Sequence, residues 1–76
     1  AAERTLRNRA AKTRIRTATK RFLEAVGSAD VEKASQTLRT AVSTLDRAAR
    51  RGIIHRNAAR RRKSRLAAKL NQMARP

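Results

Sequence analysis

Ile15, Ala18, Phe22 and Val26 recur at intervals of three and four residues, which places them along one stripe of a helix. Upstream the stripe fades to Leu6, Ala10 and Ala11, and basic residues surround it: Arg4, Arg7, Arg9, Lys12, Arg14 and Arg16. A helix charged on every side cannot be buried in a protein core. The pattern therefore predicts a first helix over about 3–26 whose N-terminal half protrudes from the fold. A second seam is clearer. Val31, Ala34, Leu38, Ala41, Leu45 and Ala48 alternate spacings of three and four, and Val42 and Ala49 widen the stripe. It predicts a helix over 30–51, too short for a long coiled coil and suited to a packed helical hairpin. Ala59, Leu66, Leu70 and Met73 mark one side of a third helix over 57–74. Ile53 and Ile54 form an apolar connector able to plug the end of a bundle. The expected fold is all-α, a single three-helix bundle spanning residues 1–76, with a long, protruding, basic first helix.

The punctuation agrees with these divisions. Gly27 and Gly52 are the only glycines, and each is expected just past a helix C-terminus. Ser28 or Asp30 can cap the second helix, and Asn57 is the expected cap of the third. Asp30 and Glu32 suit the positive end of the second helix dipole, and Arg47, Arg50 and Arg51 suit its negative end.

Charge changes what the bundle is for. The 76 residues carry 21 Lys+Arg against 5 Asp+Glu, a formal net charge of +16. Self-repulsion on that scale opposes a compact state unless something anionic offsets it, so the partner is expected to be a polyanion. Nucleic acid comes first and an acidic membrane second. Residues 1–26 hold eight basic and two acidic residues, residues 27–52 five and three, and residues 53–76 eight and none. The first and third helices are thus expected to face the polyanion, with the second as scaffold. On that assignment Ala at Arg60, Arg61 and Arg62 weakens binding broadly, while Ala at Arg39 and Arg47 does little. Large apolar side chains are few, so the free chain is expected to be only partly ordered and to firm up on its partner.

Two basic clusters carry the binding expectation. Arg60, Arg61, Arg62 and Lys63, with Arg56 and Arg65, form the denser one, near a helix N-terminus that adds partial positive charge and free N–H groups. Its plainer alternative is a solvated charge run or a localisation signal, but six cations without local acids are costly in isolation. Arg7, Asn8, Arg9, Lys12, Arg14 and Arg16 form the other, flanked by Arg4 and Lys20; Lys69 extends the first. Asn8 is either a base-edge or ribose contact or simply a polar helical residue. Ser64 lies within the basic helix, where its hydroxyl can reach a phosphate.

Other chemistry is thin. Phe22 is the only aromatic residue, so base stacking on exposed rings is not expected and recognition should run through phosphates and shape. His55 is the only histidine and there is no cysteine, which leaves no expected metal site, cofactor or catalytic group. His55 is expected to cap the third helix, to donate to a phosphate, or both. The serines form no nucleophile arrangement, and enzyme activity has no residues to stand on. No apolar run approaches the roughly 20 residues of a membrane span. Ala1 is not expected to be the biological start.

The run Gly52-Ile53-Ile54-His55-Arg56-Asn57-Ala58-Ala59-Arg60-Arg61-Arg62-Lys63-Ser64-Arg65-Leu66, preceded by Asp46-Arg47-Ala48-Ala49-Arg50-Arg51, resembles the signature of the bacterial and plastid small-subunit ribosomal protein twenty family. Arg7-Asn8-Arg9-Ala10 resembles that family's first helix, and Gly27 through Val31 its first turn. The resemblance covers essentially the whole chain. It implies a structural, non-enzymatic three-helix protein, a monomer within the ribosome, in the cytoplasm or in the plastid stroma. It implies small-subunit ribosomal RNA as partner, with Arg7, Asn8, Arg9, Lys12, Arg16, His55, Asn57, Arg60, Arg61, Lys63, Ser64 and Arg65 as contacts. The family usually carries a short basic stretch ahead of the region matching Glu3; this sequence does not include it, so contacts from it are not assigned. Two other readings of the charge are a nucleoid or histone-like DNA-binding protein and a cationic membrane-active helix. The first lacks a defined base-reading helix and a dimer element; the second has Ala-rich apolar faces without Trp.

Overall fold

The structure is a computed structural model that describes residues 2–74, with side chains described for residues 6–73. Three helices follow in order: α1 (Ala2–Gly27), α2 (Val31–Arg50) and α3 (Arg56–Ala74). They form a three-helix bundle, and no strand occurs among the described residues. α1 and α3 each pack along α2 and meet one another only slightly. The result is a slab of 50 × 21 × 13 Å with a radius of gyration of 13.3 Å. A compact globule of this length would have a radius near 11 Å, so the chain is elongated.

The core follows the apolar stripes. Ile15, Ala18, Phe22 and Ala25 of α1 meet Ala34, Ala41, Leu45 and Ala48 of α2 and Ala59 and Leu66 of α3. Six of these ten buried residues are alanines, and Phe22 and Leu45 are the largest fully buried side chains. Small residues let the helices approach closely but remove little apolar area from water, and burial energy scales with that area. Val31, expected in the α2 seam, is 44% exposed, because it opens the helix at the end of the bundle. Ile53 and Ile54 do pack against the core from the connector. Leu6 is 61% exposed, and Ala11 lies against the C-terminal end of α2. The residues of α1 before Ala11 therefore run past that end, by roughly 13 Å at helical rise.

The two connections have the same C-terminal hydrogen-bond pattern. At the end of α2, Gly52 N–H donates to Ala49 O and Ile53 N–H donates to Ala48 O, with Gly52 at φ 74°. That is a Schellman turn, which needs one residue in the left-handed region. At the end of α1, Ala29 N–H donates to Val26 O and Asp30 N–H to Ala25 O, with Ala29 at φ 59°. The expected glycine stop at residue 27 is thus corrected: Gly27 is helical, and Ala29 takes the left-handed position. The reason is a shared residue. Asp30 closes the α1 turn and also caps α2, its side chain accepting Lys33 N–H at 3.0 Å, so the left-handed residue must be the one before it. Ser28 does not cap α2; its hydroxyl donates to Ala25 O. Asn57 does not cap α3 either. Its backbone N–H donates to His55 Nδ1 at 3.1 Å, which makes His55 the cap.

Candidate nucleic-acid interface

Because α1 and α3 lean on α2 rather than on each other, a groove of about 790 Å³ remains between them. Lys12, Arg16 and Lys20 line the α1 wall. Their four-residue spacing repeats about every 6 Å along the helix. Arg62, Arg65 and Lys69 line the α3 wall, at the i, i+3, i+7 positions of one face. Ile15, Leu23, Ile54 and Leu66 supply apolar surface between the two rows. No carboxylate lines the groove. Six cations thus border a trough whose inner surface is apolar and lacks an aromatic ring.

The remaining candidates fall elsewhere. Arg7 and Arg9 are exposed on the projecting part of α1, and Asn8 there is half-buried. Arg56, Asn57, Arg60, Arg61 and Ser64 are exposed on α3 but do not line the groove. Consecutive helical residues step by about 100°, so Arg60, Arg61 and Arg62 splay and only Arg62 enters it. Lys63 turns to the opposite side, where its Nζ donates to Asp46 Oδ1 of α2 at 2.6 Å. Both side chains are more than a third exposed, so this pair contributes little net stability. The side chain of Arg4 lies outside the described residues.

Arg14 faces away from the groove. It shares a small crevice between α1 and α2 with Arg47, Arg51 and Ile53. Composition by segment had marked α2 as scaffold, and it concealed this placement: Arg47 stands beside a basic residue of α1. Arg39 lies on the outer face of α2 with Ser43, Asp46 and Arg50. Leu23 and Ile54 were likewise not legible as interface residues; only the lean of α1 away from α3 exposes them to the groove.

Among the described residues no group of His, Asp and Glu could hold a metal ion, and no helix is long and apolar enough to cross a membrane. No buried side-chain polar atom lacks a hydrogen-bond partner among the described residues. Helical threonines return their hydroxyls to their own backbone, as Thr13 does to Arg9 O and Thr44 to Thr40 O. The charged side chains are therefore the main unsatisfied chemistry of the surface.

Residues 1–71 match the family model described as Ribosomal protein S20. A small ribosomal subunit protein bS20 of Natranaerobius thermophilus is 47% identical over 72 residues, covering 95% of this chain and 82% of the relative. The bS20 of Heliobacterium modesticaldum is 49% identical over 72 residues, with the same coverage of 95% and 82%. That of Magnetococcus marinus is 49% identical over 73 residues, covering 96% of this chain and 79% of the relative.

Proposed function

Since the chain belongs to the ribosomal protein S20 family, we propose that it is a structural constituent of the small ribosomal subunit that binds the subunit's RNA through phosphates and helix shape. The observation that carries the RNA reading is the groove with six cations on facing walls and no carboxylate. Rows of Arg and Lys suit a sugar–phosphate strand laid along the groove, with ribose faces against Leu23 and Ile54. Arg adds paired hydrogen bonds to phosphate oxygens. Without exposed aromatic rings there is nothing to hold a splayed base, so backbone geometry supplies the discrimination. Arg7, Arg9, Arg60 and Arg61 extend the contact beyond the groove, and the projecting part of α1 is surrounded by RNA.

Neutralising the phosphate charge removes the self-repulsion of a +16 chain, so binding and ordering of the bundle reinforce each other. The chain acts as a monomer and its place is the ribosome. A competition experiment tests the partner. Structured small-subunit RNA should displace duplex DNA at moderate salt. Equal or better competition by duplex DNA would favour a nucleoid role instead.

A further inference from the structure

Arg14, Arg47 and Arg51 line one crevice between α1 and α2, and the groove uses none of them. Arg47 and Arg51 are four residues apart. Arg51 N–H donates to Arg47 O at 3.2 Å, so the helical register runs through the end of α2 and keeps both on one face. A cation at this end has an ordinary reason to be there, because the helix dipole favours it. Arg14 has no such reason. It sits in the middle of α1, far from either end, and brings a third like charge to the other two. No carboxylate lines the crevice. The one ion pair among the described residues joins Lys63 to Asp46 instead. Neutral donors nearby are already engaged: the Thr44 hydroxyl donates to Thr40 O, and Ile53 N–H donates to Ala48 O. Three guanidinium groups are what the crevice offers, and an anion is what they lack.

We propose that Arg14, Arg47 and Arg51 form a second phosphate site, which takes a backbone phosphate from an RNA segment other than the one in the groove. This rests on the RNA-binding reading above. The crevice is about 50 Å³ against about 790 Å³ for the groove, so it seats one group rather than a length of strand. A guanidinium fork bonds phosphate oxygens in pairs, and arginines from two helices approach such a group from two sides. The direction of the site sets which phosphate it meets. Two residues, about 200° of helical rotation, separate Arg14 from both Lys12 and Arg16, so α1 itself stands between the crevice and the groove. Arg7 and Arg21 lie seven residues on either side of Arg14 and drift only about 20° from its line along α1. Both are exposed and neither lines the groove, so the same side of α1 continues basic in both directions. Arg47 and Arg39, alike in sequence as cations of α2, therefore differ in role. Arg39 lies on the outer face, and Arg47 joins α1 and α2 to the RNA.

Phosphate-ethylation interference on small-subunit RNA tests this with the full chain. Three proteins are compared with wild type: Arg14→Gln/Arg47→Gln, the outer-face pair Arg39→Gln/Arg50→Gln, which removes the same charge, and the groove variant Arg62→Ala/Arg65→Ala/Lys69→Ala. Ethylation should weaken wild-type binding at two separate sets of phosphates. The crevice variant should become indifferent to one set and the groove variant to the other, while the outer-face pair keeps both. At moderate salt the crevice variant should bind about tenfold more weakly, as expected for lost hydrogen bonds to a charged group. Its salt slope should be shallower by about 0.9, the value for one phosphate. Circular dichroism of each complex should show equal helix content, which separates a lost contact from a lost fold. A crevice variant that keeps every sensitive phosphate, or binds no more weakly than the outer-face pair, would overturn the second site and leave the groove intact. Wild type that binds no RNA would remove the proposed function, and this site with it.

Discussion

Phe22→Ala is the perturbation that most fully exposes how this fold is held. Phe22 is 0% exposed, and it is the only aromatic side chain in a core otherwise built from Ile15, two leucines and alanines. Removing a buried phenyl ring costs about 3–5 kcal/mol through lost transfer energy and the cavity left behind. A domain of 76 residues has roughly 4–11 kcal/mol in total, and the alanine-rich core and net charge put this one at the low end or below. The loss must be visible in one of two places. If the free bundle is stable, it appears as a lowered melting temperature with little change in affinity. If the free chain is marginal, folding is completed only on RNA, and the loss appears in binding as about 150- to 5,000-fold. The thin core predicts the second outcome: low helicity of the free variant by circular dichroism, helix recovered with RNA, and affinity down a hundredfold or more. A large melting shift with affinity preserved would refute the coupling of folding to binding. No change in either quantity would refute the placement of Phe22 in the core.

The two left-handed positions give opposite signs. Gly52→Ala should destabilise by about 1–2 kcal/mol through φ alone, since an added Cβ meets nothing within 4 Å at φ +74°; Ala29→Gly, at φ 59°, should be neutral or stabilising in thermal melts. Asp46→Asn breaks the pair with Lys63 and should cost under about 1 kcal/mol, with RNA affinity unchanged; a tenfold loss of affinity would mean that this pair sets the α3 geometry.

Much of this was legible in the sequence because helical burial is periodic. The stripes through Ile15–Phe22 and Ala34–Ala48 read directly as the α1–α2 contact, and the run beginning at Gly52 resembled the family that the comparisons show. Local features that depend on two elements at once were not legible. Ala29 is left-handed because Asp30 serves two helices, which no single-residue preference reveals. His55 rather than Asn57 caps α3, although Asn is the better capping residue in general, because the connector brings Nδ1 to the Asn57 N–H. The candidate site was legible as charge but not as shape. Arg60, Arg61, Arg62 and Lys63 are adjacent in sequence, yet one enters the groove, two face solvent and one turns to Asp46. Helical rotation predicts that they separate, but which one meets Lys12, Arg16 and Lys20 depends on how α3 seats on α2.

The central claim is that the groove between α1 and α3 neutralises RNA phosphates, and the salt dependence of binding tests it most directly. Small-subunit RNA should be titrated with wild type, Arg62→Ala/Arg65→Ala/Lys69→Ala and the outer-face control Arg39→Ala from 50 to 200 mM salt. With six groove cations engaged at ~0.9 per phosphate, log affinity against log salt should have a slope of about −5 or steeper for wild type and Arg39→Ala. That corresponds to a loss of about a thousandfold or more across the range. The triple variant should lose between two and three units of slope by the same factor, ~0.9 per contact removed. A flat wild-type dependence, or a triple variant with the wild-type slope, would contradict the account.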